Sequence, residues 1–131
     1  MNATSIDIKD ILEAESNLGL IFGQNLFVGK QPSLPNNTVV IFDTPGSPPM
    51  LTLTPGENYF YDSVQIRIRD KDYLTGYQLA QMIMISLHGR AQETWNGTLY
   101  SVIYCSSGPA LLEWDSNNRA VIVINFETQR R

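Results

Sequence analysis

The chain has 131 residues, a length that makes one domain and buries roughly two thirds of the surface its unfolded form exposes. Its formal net charge of -4 argues against a protein that holds nucleic acid through a broad cationic field on phosphates. Charged residues are only 17% of the chain, against about a quarter in an ordinary soluble monomer, so some surface is expected to be hidden against partners.

The chain opens "MNATSIDIKD", without the cationic start and apolar run of a signal peptide. No apolar stretch approaches the ~18 residues that would span a membrane, so the expectation is a chain made in the cytosol and kept there, or built into a particle from it. Thr4 or Ser5, then Asp7, Ile8, Ile11 and Leu12, has the pattern of a capped amphipathic helix, with Gly19 as its stop near Leu18. A short strand is predicted at Leu26 to Val28. Pro32 and Pro35 then impose an extended or turning path. "TVVIFD", Thr38 to Asp43, is a run of β-branched and aromatic residues that predicts a strand covered on both faces.

From Thr44 to Asn58, "TPGSPPMLTLTPGEN" holds too many turn formers for a regular element, although "MLTLT" could add a short edge strand. A projecting proline-rich loop, around residues 44–58, is expected. Its apolar content marks it as a contact surface. Val64, Ile66 and Ile68 then alternate with Gln65, Arg67 and Arg69, the period of a strand with one core face and one basic face. "YLTGYQLAQMIMISLHG" follows as a helix, with Tyr73, Tyr77, Leu79, Ala80, Ile83, Met84 and Leu87 at helical spacing and Gly89 as its stop. The last part reads as a meander: a strand at Thr98 to Cys105, a turn at Ser106 to Pro109, a strand at Ala110 to Trp114, and a final strand at Arg119 to Glu127. The whole is a single α+β domain over residues 1–131, a mixed, mostly antiparallel sheet with two helices packed on it.

The residues hold little that points to catalysis. The single cysteine, Cys105, excludes an internal disulfide and a multi-cysteine zinc site and is read as a small strand residue. The single histidine, His88, is read as a partner for the helix C-terminal dipole. "DTPG" at Asp43 to Gly46 departs from the aspartic-protease "DTG" by its proline and is read as a turn. With no phosphate-cradling glycine loop and no ligand-spaced acids, no enzymatic activity, cofactor or metal is expected. What stands out is Arg67, Arg69 and Lys71 on an outward strand face and its turn, beside the apolar loop. The residues alone leave two readings open: a solvated basic face that discourages indiscriminate strand pairing, or an interface.

Two stretches carry a family resemblance: "NLFVGKQPSLPNNTVVIFDTPGSPP", Asn25 to Pro49, and "SVQIRIRDKDYLTGYQLAQMIMISLHG", Ser63 to Gly89. In order and spacing they resemble the minor capsid or tail terminator proteins of long-tailed bacteriophages. The resemblance implies a virion subunit with helices on a β-sheet, assembled in the host cytoplasm as a homo-hexameric ring on the head-proximal end of the tail tube. Such a ring stops tube polymerisation and offers the surface for head-tail joining. Implied partners are other copies of the chain, the tail tube protein and the head-tail connector or stopper protein. DNA would pass through the lumen without specific binding, and no membrane is involved. On this view Arg67, Arg69 and Lys71 form a subunit interface or lumen surface. The loop residues Pro45, Pro48, Pro49, Met50, Leu51 and Leu53 would touch the tube or the connector. A head-completion or connector protein of the neck is the alternative within the virion, and a small monomeric binding module is the alternative outside it.

Overall fold

The computed structural model describes residues 1–49, 51, 53 and 58–131. Helix α1 spans Thr4–Ala14 and is followed by a single 3₁₀ turn, Ser16–Leu18. Strands β1, Leu26–Val28, β2, Thr38–Ser47, and β3, Tyr61–Asp70, precede helix α2, Tyr73–Leu87. Strands β4, Arg90–Trp95, β5, Thr98–Trp114, and β6, Ala120–Arg130, complete the domain. The described residues form one sheet in the order β1-β2-β3-β6-β5-β4, in which only β1 and β2 pair in parallel.

Alternation decides which face of this sheet becomes core. The register sets Ile66 opposite Ile41 on one side and Ile124 on the other, and Ile68 opposite Val39 and Ile122. Strands β2, β3 and β6 thus present their apolar sets to the same side, where both helices lie. Helix α1 contributes Ile8, Ile11 and Leu12, spaced for one helical face, and α2 contributes Ala80, Ile83 and Leu87. Gly76 is where α2 comes closest to the sheet. A Cβ there would stand 3.0 Å from Asp70 Cβ and 3.2 Å from Ile122 Cδ1.

The expected α+β class, with two helices packed on a mostly antiparallel sheet, is the architecture observed. Several boundaries differ for physical reasons. Helix α1 ends at Ala14, and its N-terminus takes no cap from its own side chains. The carboxylate of Asp43, from β2, accepts from the Ser5 N–H at 3.0 Å and from the Ser5 hydroxyl at 2.6 Å, so a distant strand supplies the anion that a helix start favours.

Strand β2 runs on to Ser47, so Pro45 lies within a strand rather than in the projecting loop. The register with β3 shifts between Thr44 and Ser47, a bulge at which proline is tolerated. Gly46 is required there, because a Cβ would come within 2.1 Å of the Tyr61 carbonyl oxygen.

The expected turn at Ser106 to Pro109 is instead part of β5, a 17-residue strand. Its turn formers are absorbed as register shifts against β6 between Cys105 and Ser107 and between Ser107 and Ala110. Strand β4 is not predicted by the hydrophobic pattern. Its signal was the Asn96-Gly97 pair, whose φ values of 51° and 79° suit a tight two-residue hairpin.

Candidate assembly surfaces

The face of the sheet away from the helices carries a line of polar side chains across three strands. Arg67 Nε donates to Gln65 Oε1 at 2.8 Å, Gln65 Nε2 donates to Asn125 Oδ1 at 3.2 Å, and Asn125 Nδ2 donates to Ser107 Oγ at 2.7 Å. The Arg67 guanidinium also lies 5.2 Å from the centre of the Phe42 ring. Toward β5 the line continues with Tyr104, whose hydroxyl donates to Glu127, beside a shallow pocket lined by Ser47, Tyr61 and Ser63. These side chains hold one another, so the face is ordered before any partner meets it.

Arg67 stands on this face half-buried, and Lys71 is exposed just past the end of β3. Arg69 does not project into solvent as the alternation predicts; it is 4% exposed. The segment between β1 and β2 folds across this end of the sheet. Arg69 Nη2 donates to the Pro35 carbonyl at 2.7 Å and Nε to the Asn36 carbonyl at 3.1 Å. Arg119 does the same from β6's start, donating to the Ser33 carbonyl at 2.6 Å while its Nε donates to Asp115 at 2.7 Å. Burial, and then the neighbouring charge of Arg119, push the Arg69 guanidinium below its ordinary value. Arg69 is therefore a clamp on a loop. Its strand, moreover, is interior to the sheet, between β2 and β6.

Of the loop residues singled out from sequence, Pro48 and Pro49 are exposed after β2, and Leu51 and Leu53 are 93% and 105% exposed. Met50 lies outside the described residues, as does most of the suggested "MLTLT" strand. A second apolar surface has no local signal in the sequence. Helix α2 leaves Leu74, Met82 and Ile85 exposed, and β5 leaves Leu111, Leu112 and Trp114 exposed. Between them lies an open groove lined by Met84, Ile85, His88, Cys105 and Gly108. His88 closes the end of α2 against β5, where its Nδ1 accepts the Cys105 N–H at 2.9 Å, a structural role that uses the ring as an acceptor. Burial raises the Cys105 thiol above its ordinary value.

One ionisable cluster has a buried centre, formed by Asp7, Tyr100 and Arg130. Asp7, which is 0% exposed, accepts from the Tyr100 hydroxyl and, at 2.7 Å, from Asn96 Nδ2, with Arg130 Nη1 at 3.7 Å. Arg130 in turn donates to Asp62 at 2.7 Å and to the Asn2 carbonyl at 2.8 Å. The cluster ties the N-terminal segment, the β4–β5 turn and the last strand together. Burial, followed by the bond to Asp7, pushes the Tyr100 phenol well above its ordinary value. Among the described residues there is no group of three or more His, Cys, Asp or Glu placed to hold a metal ion. No helix among them is long and apolar enough to cross a membrane.

A chain from the virion of a native gene transfer agent particle has the same fold, with a TM-score of 0.69 at 11% identity, covering 98% of this chain and 94% of that one. A second solved chain, whose name states no function, gives a TM-score of 0.58 at 8% identity and covers 98% of this chain and 91% of its own. No curated protein matches the sequence significantly. A family described as bacteriophage tail terminator protein matches residues 8–131, which takes in every strand and all but the first turn of α1. The chain belongs to the bacteriophage tail terminator family and is a structural protein of a phage tail.

Proposed function

We propose that the chain acts by self-assembly, as a hexameric ring that caps the head-proximal end of the tail tube. The ring stops tube polymerisation and presents the surface to which the head is joined through its connector. The observation that carries this reading is the family match across residues 8–131. The low charge fraction and the exposed apolar groups at two separate places on one subunit support it. A heterologous ring sets one patch of each subunit against a different patch of the next, and both are then covered. The line of polar groups from Arg67 to Ser107, with Lys71 nearby, faces a neighbouring copy or the channel. Arg69 takes no part in that surface, because its guanidinium is held inside its own subunit. A net charge of -4 suits a channel wall that lets DNA pass without holding it.

The test is tube length. Tail tube protein polymerised with the purified chain present is expected to give short tubes with a ring on one end in electron micrographs. Tubes of unchanged length with bare ends would overturn the reading.

A further inference from the structure

Ion pairs inside the subunit account for many of its charged side chains and leave a few unmatched. Lys9 pairs with Asp10, Arg90 with Glu15 and Glu93, Arg119 with Asp115, and Arg130 with Asp62. Glu127 stands half-buried on the outward face of β6 and pairs with no cation among the described residues. Its Oε2 accepts the Tyr104 hydroxyl, and its Oε1 takes no hydrogen bond among the described residues. The carboxylate borders a cavity of about 180 Å³ lined also by Ser47, Tyr61, Ser63, Tyr104 and Gln129. That is below the ~300 Å³ at which small-molecule sites begin, so the space suits the end of one side chain. Its hydroxyls and its amide can all accept from an ammonium group. With one carboxylate oxygen taken by Tyr104, the two-pronged fit of a guanidinium is blocked, whereas a lysine needs only the other oxygen.

The chain has three lysines, Lys9, Lys30 and Lys71. Lys9 is held by Asp10 at 2.7 Å and lies 4.7 Å from the centre of the Phe22 ring. Lys30 and Lys71 are exposed and pair with no carboxylate among the described residues. The two acids that flank Lys71 are engaged elsewhere. Asp70 accepts the Asp72 N–H at 2.8 Å, and Asp72 accepts the Thr75 N–H at 3.2 Å, at the start of α2 where the helix dipole favours an anion. The backbone of Lys71 is fixed, since its N–H donates to Asn37 Oδ1 at 3.3 Å. Lys30 follows β1 near the level of Ile41, partway along the sheet, whereas Lys71 stands at its far end, past the row in which Asp70 pairs with Ala120 and Ala120 with Trp114. The cavity lies toward the opposite end, where Ser47 pairs with Tyr61 and Ser63 with Glu127. Along β3 the distance from Ser63 to Lys71 is roughly 26 Å, beyond the reach of a lysine side chain, so Lys71 cannot serve Glu127 of its own subunit.

We infer that Lys71 of one copy places its ammonium against Glu127, in this cavity, on the next copy. The inference rests on the ring reading and deepens it by naming two side chains that meet between subunits. A patch at one end of each subunit meets a different patch near the other end of its neighbour, so the contact is head-to-tail and repeats around a ring. The incoming ammonium takes the open carboxylate oxygen and leaves the Tyr104 bond in place. Because Glu127 is half-buried, water and salt screen this pair less than they would a pair between fully exposed groups.

A charge swap tests the pair. Lys71→Glu and Glu127→Lys, each checked for folding by circular dichroism, are expected to raise the concentration needed for assembly, alone or on tail tubes, by about fivefold or more in light scattering. The two swaps combined in one chain should recover most of that loss. Where Glu127→Lys fails to fold, Glu127→Gln keeps an acceptor for Tyr104 and should show the same loss. Carbodiimide treatment of the assembled native chain should join Lys71 to Glu127, a link that mass spectrometry maps and that the distance within one subunit restricts to neighbouring copies. Assembly that ignores the single swaps, a double swap that recovers nothing, or a Glu127 link to Lys30 in place of Lys71 would overturn the inference and leave the ring reading standing. Absence of assembly by the native chain, both alone and on tubes, would overturn both.

Discussion

Replacing Arg69 with methionine separates a clamp from a contact surface. An arginine on an exposed basic face could be neutralised at almost no cost to the fold. Here the side chain is 4% exposed and donates to two carbonyls, at 2.7 and 3.1 Å, in the segment between β1 and β2. Hydrogen bonds from a charged donor contribute ~1.5–3 kcal/mol each. Two effects offset part of the loss: the freed carbonyls belong to an outer segment that water can reach, and the repulsion between Arg69 and Arg119 is relieved. Arg69→Met is therefore expected to cost about 2 kcal/mol, which for a domain of this size lowers Tm by roughly 6–10 °C. Arg69→Glu should cost more, since it sets a carboxylate against two carbonyl oxygens. Arg67→Met surrenders one bond to Gln65 and a ring contact with Phe42 on a half-open face, and should cost under ~1 kcal/mol. Urea unfolding at one fixed protein concentration measures both, because assembly would otherwise shift the midpoints. Equal midpoints for Arg69→Met and Arg67→Met would refute the clamp.

Gly46→Ala places a Cβ where the Tyr61 carbonyl stands, 2.1 Å away, and is expected to cost ~2–3 kcal/mol in urea unfolding; an unchanged midpoint would show that the bulge opens freely. At Gly76, alanine gains about 1 kcal/mol of helix propensity against its close contacts with Asp70 and Ile122 and should be near neutral, whereas valine should destabilise by ~1–3 kcal/mol; equal melting temperatures for the two would contradict the tight helix–sheet approach. Tyr100 is held in its neutral form by burial and by Asp7, so its folded value lies above the ordinary 10.0. Its contribution is complete below pH 10.0 and is lost as pH rises toward the folded value, so stability should fall more steeply above pH 10 in the native chain than in Tyr100→Phe; parallel pH profiles would remove Tyr100 as the cause.

Much of the architecture is written locally in the sequence. Val64, Ile66 and Ile68 alternate with polar residues over a stretch long enough to fix both the strand and its core face. Ala80, Ile83 and Leu87 fix α2 in the same way, because periods of 2.0 and 3.6 place apolar side chains on one side whatever else the chain does. The apolar character of residues 48–53 and the low charge fraction were also legible, since both are composition.

Three other features depended on segments far away in the chain. Strand β4, "RAQETW", has no clean alternation, because one side of the hairpin it forms with β5 meets little core. Gly108 and Pro109 look like a turn, and become part of a strand only because β6 lies alongside and accommodates the bulges. Arg69 has the same local pattern as Arg67. Local pattern determines which way a side chain leaves the strand; whether it then meets water depends on what the rest of the chain lays over it, and here residues 33–36 cover one arginine and leave the other half open. The groove beside Ile85 arises the same way, from the end of β4 at Arg90 and the continuation of β5 past it, a difference in strand length that appears only when the two are paired.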